Sequence, residues 1–163
     1  MTLRICQLLL TAGMALYLSL IVWNNLVDPA SNLAYVRHVL AMDSLPRESP
    51  LRGRAIEWPV LQAAMYWTIV AWEAVAAILC WIGTGLQARY LRGDAACFAQ
   101  IQPWAVAGLA ASCLLWLMAF LAVAGEWFVM WQSPTFNAQD AAFRMFVVSG
   151  VVLLVVLKTD RSG

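Results

Sequence analysis

Three long charge-poor apolar runs, and a shorter fourth, are separated by polar segments along the chain. Residues 5–27 carry no charge, residues 60–86 carry only Glu73, and residues 104–131 carry only Glu126. About 20 apolar residues cross a hydrocarbon core of about 30 Å, so each of these three runs is long enough to span. Residues 143–157 form a shorter run, but Asn137 is placed to cap a helix, with Asp140 three residues later as in a capping box with Asp in place of Glu. A helix over 138–158 rises roughly 30 Å at about 1.5 Å per residue. The pattern predicts an all-α fold, a four-transmembrane-helix bundle with spans at about 5–27, 60–86, 104–131 and 138–158, forming one integral membrane domain over 1–163. All six prolines fall between or at the edges of these spans, where a missing N–H does least harm.

The first loop, 28–59, is long enough to hold structure of its own. Ser31 or Asn32 can cap a short amphipathic helix with Leu33, Val36, Val39 and Leu40 on one face and Arg37, Ala41 and His38 on the other. Such a helix lies on the membrane surface or over the mouth of the bundle. Residues 46–53 then read as a turn-rich link. The first apolar run has 23 residues, beyond the usual 7–15 of a cleaved signal, so it reads as an uncleaved anchor. The two helix pairs differ in loop length and in the position of their acid, which argues against an inverted repeat within the chain.

Composition agrees with a lipid environment. Of 163 residues, 63% are hydrophobic and only 12% charged, against about 25% charged in a soluble domain. The net charge of +1, without a basic run, provides no footprint for nucleic acid. Four cysteines without a CxxC pair, and the single His38, give no support for a zinc site, a bis-histidine haem or a dithiol centre, so no metal or cofactor is expected. Arg4, Arg89, Arg92, Lys158 and Arg161 fall on the side of the termini, whereas the loop's Arg37, Arg47, Arg52 and Arg54 are balanced by Asp28, Asp43, Glu48 and Glu57. The positive-inside rule then places both termini in the cytoplasm. Trp23, Trp58, Trp127 and Trp131 would form an outer aromatic belt, with Trp81 and Trp104 at the inner interface.

The sharpest candidate for chemistry is Glu73, placed near the middle of its span by counting along the run. A charge at mid-span costs about 2.5–3.5 kcal/mol, so this carboxyl must be protonated, paired or facing water. Tyr66, Ile69, Val70, Ala76, Ala77 and Cys80 share its helix face, and the Tyr66 hydroxyl could serve the carboxyl or a ligand. Glu73 is either a proton or cation relay or a hydrogen-bonding link between helices. Glu126, the second intramembrane carboxyl, ends a heptad-spaced stripe of Gly108, Ser112, Leu115, Ala119 and Ala122, which reads as a close-packing seam, with a ligand or relay role as the alternative. Arg144 has Asp140 four residues before it as a local partner, or could reach Glu126 across the short turn. Asn24, Asn25, Asp28, His38 and Asp43 form a polar group at the outer mouth, unless the two amides only satisfy backbone groups where the first helix ends.

Taken together, Trp23-Asn24-Asn25, Asp28, the segment from Asn32-Leu33-Ala34-Tyr35 through His38 to Met42-Asp43, and Arg54-Ala55-Ile56 leading to Tyr66 and Glu73 resemble a known family. The chain is similar to the bacterial predicted small integral membrane proteins termed domain of unknown function 2165. The resemblance implies a four-helix protein of the bacterial inner membrane, carries no established activity, and favours the Asn24 to Asp43 region and Glu73 as shared features. Three functions remain in order: a non-catalytic module that packs against itself, as a homo-oligomer, or within a larger membrane complex; a proton- or cation-coupled small-solute transporter or channel using Glu73; and an enzyme or redox subunit. The expected partners are the lipid bilayer and other membrane protein, with no nucleic acid.

Overall fold

The computed structural model describes residues 1–158, and Arg161, counted above for sidedness, lies outside them. The helices are α1 (Thr2–Val27), α2 (Pro29–Ala41), α3 (Pro59–Arg89), α4 (Ala95–Leu114) and α5 (Gln139–Val156). A π-helical stretch over Leu115–Trp127 continues α4, and short 3-10 turns occupy Pro50–Arg54 and Met130–Gln132. Among the described residues, four helices are long and apolar enough to cross a membrane: α1, α3, α4 with its π continuation, and α5. No strand occurs among the described residues.

α3 is the central helix, packed on α1 and α4, and α5 closes the bundle against α4, the π stretch and α1. Small residues allow the closest approach. A Cβ on Gly83 would lie 2.7 Å from the Ala105 backbone, and one on Gly108 would lie 2.7 Å from the Cys80 backbone nitrogen. Backbones this close are the usual way that membrane helices gain packing, because lipid leaves little hydrophobic drive between them. Around this seam Met14, Ala15 and Leu18 of α1 meet Ala76, Ala77 and Cys80 of α3, Leu109 of α4, and Val152 and Val156 of α5. Buried Ser112 and Ser149 share a 2.9 Å hydrogen bond that joins α4 to α5.

A second core sits at the end of the bundle that bears the long loop. Val39, Leu40, Met42 and Leu45 pack against Phe128, Val129 and Met130, so α2 and the α4–α5 connection form a cap. Val129 holds a left-handed φ of 44°, unusual for a β-branched residue. Its burial between two other core residues offsets that strain.

Three details depart from the pattern-based expectation. Pro103 lies inside α4 rather than at its edge, because α4 starts at Ala95 and buries Phe98 before the apolar run begins. The cap of α2 is Asp28, which accepts from the Ser31 N–H at 3.3 Å with Pro29 in the first turn, rather than Ser31 or Asn32. Ala138 is the N-cap residue of α5, and Asn137 accepts the Gln139 N–H from one position further out, at 3.1 Å.

Candidate functional site

Side-chain bonds set the register of α1 against α3. The Trp81 indole donates to Ser19 Oγ at 3.0 Å, and further along, Asn25 meets Glu73. α1 therefore stops while α3 continues for roughly ten residues, about 15 Å at about 1.5 Å per residue, beneath the cap. Glu73 is central along α3, but it stands level with the last turn of α1, whose end is Val27.

Glu73 is only 2% exposed. Its Oε2 accepts a hydrogen bond from Asn25 Nδ2 at 2.7 Å, and the Tyr66 hydroxyl donates to the Asn25 carbonyl at 2.8 Å. The carbonyl is one of the last four in α1, which have no partner within the helix. Tyr66 and Glu73 are two turns apart on one face of α3, so together they hold both polar ends of Asn25. The hydroxyl expected to serve the carboxyl instead satisfies the end of a helix. Tyr17, on α1, contacts the Met145 sulfur of α5 through its hydroxyl at 3.0 Å.

The other mouth residues are not gathered around this cluster. Asn24 is exposed. Asp28 caps α2, and its hydrogen bonds from Ser31 hold the carboxyl below the usual range. His38 Nδ1 pairs with Asp43 Oδ2 at 2.8 Å across the left-handed turn at Met42, and its ring stacks on Phe136 with centroids 4.3 Å apart.

Glu126 is exposed. The seam expected to end on it keeps Gly108, Ser112 and Leu115 buried, but Ala122 and Glu126 turn outward. The cause is the π stretch: each bond there spans five residues, as in Phe128 N–H to the Val123 carbonyl at 3.0 Å, so a heptad stripe loses its phase. Gly125 takes the inward position, where a Cβ would lie 2.7 Å from the Gln139 amide nitrogen. Among the described residues, Arg144 forms no ion pair with Asp140 or with Glu126; it is exposed on α5.

Charge-based reasoning missed a polar cluster at the opposite, terminal end. The Gln7 amide nitrogen is shared among the carbonyls of Val155, Val156 and Lys158, at 3.1, 3.1 and 2.9 Å. Those contacts fix the amide's orientation, so Gln7 Oε1 accepts from Gln102, and Gln102 Oε1 accepts from Gln87. The chain ends on Gln87 Oε1, which is buried and unpartnered. Beside it, buried Arg4 donates to the Leu91 and Gly93 carbonyls and lies over the Phe98 ring. The available signal was amides at the margins of apolar helices, which pay for burial only by pairing across them.

Comparison with curated proteins and with solved structures finds no match. The family model described as predicted small integral membrane protein, domain of unknown function 2165, matches residues 3–159. With four apolar helices of spanning length and a match over nearly its whole extent, the chain belongs to this family of small integral membrane proteins.

Proposed function

We propose that the protein is a non-catalytic module that packs within the membrane against a second copy or a larger complex, in a bacterial inner membrane with both termini in the cytoplasm. The observation that carries this reading is the Glu73–Asn25–Tyr66 cluster. Its buried carboxyl is engaged in joining α1 to α3. α5 also presents Phe143, Val147, Val151 and Leu154 as one exposed apolar stripe, suited to lipid or to a partner helix. Purification of the full chain in mild detergent, followed by mass spectrometry of whatever accompanies it, tests the assignment. A stoichiometric protein partner or a homo-oligomer without a bound solute is expected; a monomer that retains a small solute would overturn it.

A second reading, a proton- or cation-coupled transporter or channel, draws on Glu73 itself, an ionisable side chain buried within a membrane-spanning helix. It requires Glu73→Gln to abolish ion flux while membrane levels stay unchanged.

A further inference from the structure

Between α2, α3 and the π stretch lies a cavity of about 280 Å³. Its walls include Val36 and Val39 from α2, Ile69 and Trp72 from α3, and Ala119 and Ala124 from the π stretch. The two alanines leave the space, since larger side chains there would fill it.

The few polar groups on the wall are already engaged. Thr68 donates to the Ala64 carbonyl at 2.8 Å, the Trp72 indole donates to the Ala111 carbonyl at 3.0 Å, and the Tyr35 hydroxyl contacts the Met130 sulfur at 3.7 Å. A sugar, an ion or an amino acid entering here would lose its hydrogen bonds to water without replacement. An apolar occupant would gain by burial. A hydrocarbon chain is such an occupant: it is apolar along its length and flexible enough to follow the wall. The rim identifies the source of such a chain. Met118 and Val123, 51% and 40% exposed, belong both to the cavity wall and to the apolar outer face that Leu114 and Leu117 continue, so the cavity is continuous with the surface that meets lipid.

The geometry points to a binding site for one acyl chain of a bilayer phospholipid, held beneath α2 against α3 and the π stretch. The test uses the full chain in lipid nanodiscs containing a phospholipid with a photoreactive diazirine on its acyl chain, with adducts located by peptide mass spectrometry. Labelling is expected to concentrate on the peptides bearing Ile69, Trp72, Ala119 and Ala124, several-fold above the exposed stripe of α5. The variant Ala124→Phe, which fills the cavity, should reduce that enrichment to the level of α5. Native mass spectrometry of wild type should retain one phospholipid per chain, a result that does not depend on how the variant folds. Labelling spread evenly over the exposed faces would overturn the proposal, as would displacement of the label by an isoprenoid quinone or crosslinks from the cavity to a second chain.

Discussion

Asn25 makes two contacts with α3 from one position, its amide to a buried carboxyl and its carbonyl to a buried tyrosine. Their removal should have unequal effects. Interhelical hydrogen bonds in membranes average about 0.6 kcal/mol, and Tyr66→Phe should cost about that much. Asn25→Ala should cost more, about 1–3 kcal/mol, because it leaves a buried carboxyl without its donor. Thermal melting in detergent of the two single variants and the double variant with Glu73→Gln checks both the order and the coupling. At this scale Glu73 was legible in the sequence, because one charge in a long apolar run has few explanations. Its partner was not. Asn24 and Asn25 differ by one step of helix phase, and only the packing of α1 decides which amide faces inward.

At the scale of elements, the glycines provide the clearest contrast. Gly83 and Gly108 sit where a side chain would meet backbone, whereas Gly13 and Gly85 face open space. Gly108→Val should therefore destabilise the α3–α4 pair strongly, while Gly13→Ala leaves it unchanged or slightly more stable, as read by melting temperature. The cap of α2 leads to a pH prediction. Because its hydrogen bonds lower the Asp28 pKa, the carboxylate stabilises α2 above its unfolded pKa and loses that effect as pH falls through the lowered value. Hydrogen exchange in the first turn of α2 should rise only in acid, and Asp28→Asn should flatten that dependence. Periodicity predicted α2 and its buried face correctly, and the heptad stripe through Leu115. It failed beyond that point because a π stretch has the same apolar content as an α-helix and differs only in its hydrogen bonds.

At the scale of the molecule, the described residues form two cores, one among the four long helices and one beneath α2. The apolar runs made the helix count and the all-α class legible, since in lipid each span must satisfy its own backbone. The second core was hidden because the loop segments that meet there, around Met42 and Val129, are far apart in sequence and turn through left-handed residues. What counting along α3 could not show is the level of its neighbour: Glu73 is central in the α3 span, and the last turn of α1 ends beside it. Sidedness is a property of this scale as well. A reporter fused after Ser49 should be active outside the cytoplasm, and cytoplasmic activity alone would reverse the proposed orientation.

The central claim is that Glu73 joins helices rather than carrying protons. Glu73→Gln keeps an oxygen that can accept from Asn25, whereas Glu73→Ala does not. The most direct measurement compares the thermal stability of both variants with their proton flux after reconstitution into liposomes. The account predicts that Gln retains most of the wild-type stability, that Ala loses it, and that neither variant alters flux relative to wild type. A wild-type proton flux that Glu73→Gln abolishes at unchanged stability would contradict it.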